Sequence, residues 1–208
     1  MYHAQAYEAW FATPFGRRAD RVERRILGDL LAAFGGATSL LDVGSGTGHF
    51  ASLWADPGLR AVGVDLDLDR LRYSRRARPD FPVALADATR LPFRDGSFDV
   101  VALVTVLEFL AHPLEALREA ARVARRGVLL GVLSSASPVA WWRRLRRSRA
   151  YREARFYSPW GLERFVGGGL TGRPLAISAR TGLYPAPWQA GATRLPFGAF
   201  IGMGVRFL

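Results

Sequence analysis

Three carboxylates and a run of glycines carry the chemistry of this 208-residue sequence. The run reads Asp42-x-Gly44-x-Gly46-x-Gly48. Glycines so spaced let a backbone turn through positive φ and let a ligand lie against it. The dinucleotide fingerprint sets its last glycine one place later, which counts against a nicotinamide cofactor. Asp65 follows Gly44 by 21 residues, and Asp87 follows Asp65 by another 22. A carboxylate at Asp65 can accept two hydrogen bonds from a ribose diol. Asp87 can accept from an exocyclic amine, with the Ala88 amide donating to a ring nitrogen. If each ends a strand, the set converges on one nucleoside-shaped crevice.

A proton acceptor is harder to find. His49, just past the glycines, and Glu108, past the fourth apolar run, are the two candidates. Each also has a plainer reading, His49 as a packing residue at a helix start and Glu108 as a surface acid. The N-terminal YEAWFATPFGRR carries Tyr7, Trp10 and Phe11. These rings could cover a bound cation and exclude water, or pack as an ordinary amphipathic helix. The chain has no cysteine, no lysine and no asparagine, so every one of its 29 basic residues is arginine. Thiolate metal sites, disulfides, cysteine nucleophiles and lysine Schiff bases are thereby excluded. No metal-ligand cluster is visible, and metal independence is expected.

The elements that must position these groups alternate along the chain. A helical pattern over 19–34 stops at Gly35-Gly36. Ser39 to Val43 reads as a buried strand that breaks into the glycines, with a helix expected from about Gly48. Strands follow at 61–64, 83–86, 98–104 and 128–133, with helices over 68–77, capped by Asp67, and from Pro113 to 124. Ser158-Pro159 starts a helix that Gly167-Gly168-Gly169 should stop, and two last strands lie at about 174–181 and 196–207. Alternation of this kind predicts an α/β fold with a largely parallel sheet between two helical layers.

The segments LLDVGSGTGHF, GVDLD, ADATRLPFRDGSFDVV and LEFLAHPLEALREAARVARRGVLLGVL resemble the successive motifs of class I S-adenosylmethionine-dependent methyltransferases. The likeness is strongest to the small standalone branch of ubiquinone/menaquinone type. It implies a doubly wound, Rossmann-like sheet of seven strands with the last antiparallel. It also implies S-adenosylmethionine as cofactor and S-adenosylhomocysteine as product. Gly44, Ser45, Gly46 and Gly48 would face the methionine part, with Asp42 below the loop near the ammonium. Asp65 would hold the ribose, Leu66 would lie against the adenine, and Asp87 and Ala88 would read the adenine edge. Thr105 would lie near the ammonium and methyl group, and Tyr7 and Trp10 over the sulfonium.

One domain is expected over residues 1–208: a helical cap (1–37), a cofactor-binding core (38–133) and an acceptor side (134–208). Residues 141–155 hold seven arginines and one glutamate, more than half of the net charge of +11. A lid or surface helix explains them best, ahead of a membrane or lipid-like acceptor and of nucleic acid. The expected acceptor is a small molecule, hydrophobic or acidic; the alternatives are an RNA or protein methyltransferase and a non-catalytic cofactor-binding module. No basic stretch precedes an apolar core at the start, and the apolar run 98–107 is too short to span a bilayer, so a cytoplasmic location is expected.

Overall fold

The computed structural model describes residues 4–55, 58–137, 154–183 and 197–208. The arginine-rich segment falls outside them except for Ala154 and Arg155. Two helices, α1 (Ala4–Phe11) and α2 (Pro14–Ala32), precede β1 (Ser39–Val43) and β2 (Arg60–Asp65). Then come α3 (Leu68–Ala77), β3 (Val83–Leu85), β4 (Phe98–Val104), a 3₁₀ turn at Leu107–Phe109, α4 (Pro113–Val123) and β5 (Ala124–Leu133). The described chain closes with α5 (Pro159–Gly169), β6 (Leu175–Gly182) and β7 (Phe200–Phe207).

The strands form one seven-stranded sheet in the order β3-β2-β1-β4-β5-β7-β6. All pairs are parallel except those of β7, which runs antiparallel to both β5 and β6. Chain order turns outward in both directions from the β1–β4 pair, so a crevice opens at the carboxyl ends of these strands. The sequence dictates both helical layers. Leu41, Val43, Val101, Leu103, Val128 and Leu130 face one core with α4 and α5. Their alternate neighbours Leu40, Val100, Ala102 and Leu129 face a second core with α2 and Trp54. Asp99, which interrupts the apolar run of β4, is buried and accepts from the Thr38 amide and hydroxyl.

Capping fixes the helix starts. Thr13 accepts from the Gly16 amide and Asp67 from the Asp69 and Arg70 amides. The three glycines 167–169 lie inside α5 rather than beyond it. The helix stops at the last of them as expected, and a Cβ on Gly169 would meet Leu114 Cδ1 at 2.7 Å, so this glycine also allows close packing on α4.

On β7, Gly202 and Gly204 face α2 and let the helix approach the sheet. A Cβ on Gly202 would come within 2.3 Å of Ile26 Cγ2, whereas on Gly204 the nearest contact would be an ordinary 3.6 Å. Gly202→Ala should therefore destabilise the protein by about 1–3 kcal/mol, and Gly204→Ala by less, in matched denaturant titrations.

Candidate active site

The chain leaves β1 through a turn in which Gly44, Gly46 and Gly48 have φ of +74°, +55° and +72°. L-residues seldom occupy this region. The Gly44 and Ser45 amides both donate to Val64 O, at 2.7 and 3.0 Å, tying the loop to β2. A Cβ on Gly44 would sit 2.3 Å from Val106 Cγ2, so the loop packs directly on the turn after β4. No helix forms from Gly48. Residues 44–54 instead make a chain of short turns, with Gly48 N donating to Ser45 O and Ala51 N to Gly48 O. The left-handed backbone at Gly48 breaks the αR path that a helix needs. The Ser45 hydroxyl turns inward, against Gly63 of β2.

The acidic residues stand at neighbouring strand ends. Asp65 accepts from the Gly46 amide through Oδ2 and from the Asp67 amide through Oδ1, both at 2.8 Å. Each oxygen keeps a second acceptor site. Leu66 beside it is 68% exposed. Asp87 is exposed and spends Oδ1 on the Thr89 amide and hydroxyl, which hold its carboxyl below the usual range. Ala88 next to it is buried. Asp42 lies beneath the loop, 3% exposed, and accepts from Trp54 Nε1 at 2.9 Å. Burial lifts the Asp42 carboxyl to about 7, against the pull of the Trp54 hydrogen bond and with a further push from Asp65.

Helix α1 bridges the loop, α3 and the end of β4. Glu8 Oε1 accepts from the Thr47 hydroxyl at 2.5 Å, and Arg78 Nη2 lies 3.2 Å from Glu8 Oε2. Arg78 also donates to Thr47 O at 2.8 Å. Burial raises the Glu8 carboxyl, but His49, Thr47 and Arg78 outweigh it and hold it at about 2. Phe11 stacks on the His49 ring with centroids 3.6 Å apart, and His49 Nε2 lies 2.7 Å from Asp20 Oδ1. His49 is thus a packing hub between α1, α2 and the loop. Trp10 packs edge-on against Phe11 and Phe15. Tyr7 reaches further: its phenol hydrogen-bonds Thr105, and the Arg70 guanidinium lies 5.9 Å from its ring centre. Burial, with Glu23 adding to it, pushes that phenol well above the ordinary tyrosine range.

Thr105 adopts a φ of +53° at the end of β4, a strained conformation for a non-glycine residue. Three residues on, Glu108 is 1% exposed rather than a surface acid. Its Oε1 accepts from the Leu133 amide at the end of β5. The spacing rules found the glycines and strand-end acids but not Glu8, Arg70, Arg78 or Tyr157. Among the described residues no group of three or more His, Asp or Glu is placed to hold a metal ion.

Two predictions follow from these carboxyls. Glu8→Gln should cost about 2 kcal/mol, read as faster amide exchange across α1. In the unaltered protein the same docking holds above pH 4.5 and weakens as pH falls toward 2, because the folded state depresses this carboxyl. Asp42 has the opposite sign: stability falls as pH rises from 3.8 toward 7, because folding retains a proton that the unfolded chain releases. Asp42→Asn, which keeps an acceptor for Trp54, should be more stable than the unaltered protein at about pH 8 and no more stable near pH 4 in parallel denaturant titrations.

Residues 41–132 match the family described as "Methyltransferase domain". The demethylmenaquinone methyltransferase of Renibacterium salmoninarum is 39% identical over 115 residues, 55% of this chain and 48% of that protein. A Mycobacterium tuberculosis protein described as uncharacterized is 34% identical over 168 residues, 78% of this chain and 56% of that one. The chain spans about half the length of the curated relatives it matches. A solved structure from Thermotoga maritima, described as a SAM-dependent methyltransferase and possible histamine N-methyltransferase, superposes with a TM-score of 0.81. It is 23% identical, covering 97% of this chain and 94% of that one. Residues 41–132 are thus similar to the methyltransferase-domain family, in a chain that shares the seven-stranded fold of that solved methyltransferase structure.

Proposed function

We propose that the protein transfers the methyl group of S-adenosylmethionine to a small-molecule acceptor of hydrophobic, quinone-like character. The carrying observation is the placement of the glycine loop, Asp65 and Asp87 at the carboxyl ends of the adjacent strands β1, β2 and β3. The site fits a cationic nucleoside. Asp65 keeps two acceptor positions for a diol, Asp87 keeps Oδ2, and exposed Leu66 offers an apolar face for a flat ring. The glycine turns let the backbone approach the amino-acid part, with buried Asp42 below it. S-adenosylmethionine supplies a methyl group already activated on a sulfonium. The protein's work is therefore positioning and exclusion of water, to which Tyr7, held at Thr105, contributes.

The acceptor class rests on the demethylmenaquinone methyltransferases among the relatives. A lipid-like acceptor needs no membrane anchor, and no described helix is long and apolar enough to cross a membrane. The chain acts in this reading as one domain, with 1–37 covering the cofactor core 38–133 and 134–208 forming the acceptor side.

Calorimetric titration with S-adenosylmethionine, S-adenosylhomocysteine and NADH tests the reading. The first two should bind and NADH should not. Asp65→Ala should weaken binding by at least about 1.5–3 kcal/mol, the worth of hydrogen bonds to a charged group. Asp65→Asn, which preserves an acceptor for the loop amides, should fall between. Preference for NADH would sink the proposal.

A further inference from the structure

Among the described residues, Glu108 Oε2 is buried without a hydrogen-bond partner, and the buried Tyr157 hydroxyl has only the Arg155 side chain beside it. Buried polar groups are nearly always paired, and a single carboxyl oxygen left bare is costly. The two residues flank Leu133, whose amide donates to Glu108 Oε1 and whose carbonyl accepts from Tyr157 N, and the Glu108 charge raises the Tyr157 phenol. Both sit at the carboxyl end of the sheet. Glu108 Oε1 accepts from the Leu133 amide, the Glu108 carbonyl accepts from Arg155 N at 2.8 Å, and Tyr157 N donates to Leu133 O at 3.1 Å. The first of these bonds ties down Oε1 and leaves Oε2 as the carboxyl oxygen without a partner.

Other groups facing Glu108 come from each packed element. Glu23 of α2 adds negative charge to both Glu108 and Tyr7, and Glu108 lies three residues past Thr105 at the end of β4, on the edge of the crevice. Arg155 lies beside Tyr157. Burial lifts the Glu108 carboxyl to about 8, opposed by the Leu133 amide and helped by Glu23. A carboxyl tuned near neutrality is matched to taking a proton at neutral pH.

We infer that Glu108, with Tyr157 beside it, is the proton-accepting group of the acceptor subsite. The inference rests on the methyltransferase reading and narrows its substrate class. The acceptor is a nucleophile whose reacting atom carries a proton that must leave: a hydroxyl, an N–H or an acidic C–H. A bond forms between that atom and the methyl carbon as the carbon–sulfur bond breaks, its electron pair remaining on sulfur. The displaced proton passes to Glu108 Oε2. A sulfonium and a carboxylate thereby become a thioether and a carboxylic acid, and charge balances. Tyr157 offers its hydroxyl to the acceptor beside that transfer.

The test uses radiolabelled S-adenosylmethionine with three probes: 1,4-naphthohydroquinone, phenol and ethylamine. Glu108→Gln keeps an oxygen for the Leu133 amide, and Tyr157→Phe serves as the second variant. With at least one probe, the unaltered protein should gain about tenfold in rate per pH unit up to a level near 8. Glu108→Gln should lose on the order of 100-fold and the pH dependence, and Tyr157→Phe on the order of tenfold. Cofactor affinity by calorimetry should stay within about twofold in both. Infrared difference spectra in an Asp42→Asn background without cofactor, where Asp42 cannot contribute, should show a protonated carboxyl at about pH 6 that vanishes by about pH 10 and is missing once Glu108→Gln is added. A Glu108→Gln rate and profile equal to the unaltered protein's would overturn the inference alone. So would a carboxyl that does not titrate, or cofactor binding with no methylation of any probe. Absence of cofactor binding in the unaltered protein would overturn the methyltransferase reading and this inference together.

Discussion

The contact between Gly44 and Val106 constrains everything at the carboxyl edge of the sheet. With a Cβ at Gly44 only 2.3 Å from Val106 Cγ2, the first loop and the turn after β4 could not close on each other. Because they do close, β1 and β4 present their ends side by side, and Thr105 is forced into a left-handed backbone beside the loop. The strain at Thr105 is tolerated because its amide bonds Gly131 O and its side chain meets Tyr7. Remove the close approach and the crevice has no floor.

The loop lacks the helix that would ordinarily stiffen such a turn, so its rigidity is borrowed. Trp54 anchors it from below through Asp42, Arg24 holds the His49 carbonyl at 2.6 Å, and α1 clamps Thr47. Asp42, Arg24 and Glu8 are charged groups on three other elements, and Trp54 at the loop's own end reaches back to the first of them. Loops positioned in this way by a rigid scaffold are where proteins place recognition.

Much of this architecture could be read from local signals. The limits of β1, α3 and β4 follow from short apolar runs and the Asp67 cap, whose causes lie within a few residues. The strand-end acids were legible for the same reason. The missing helix at Gly48 was not, because the positive φ there is set by packing against Ser74, 26 residues away. The glycines of α5 mark its end, but the space that Gly169 clears for Leu114 gave no signal, because Leu114 lies 55 residues earlier. Glu8 gave no signal: its partners lie 39 and 70 residues off. Glu108 looks like a surface acid in sequence, and its burial depends on the end of β5 and on Arg155, 25 and 47 residues away.

The bridge made by α1 has a thermodynamic corollary. Thr47 and Thr105 contact α1 on one side and belong to the crevice on the other, so occupancy of the crevice and docking of α1 draw on a common free energy. Linkage is reciprocal: whatever gains affinity from a docked α1 must protect α1 from opening by the same factor. About 1.4 kcal/mol of such coupling is tenfold in each direction. The N-terminal segment is in that sense a ligand tethered to its own receptor.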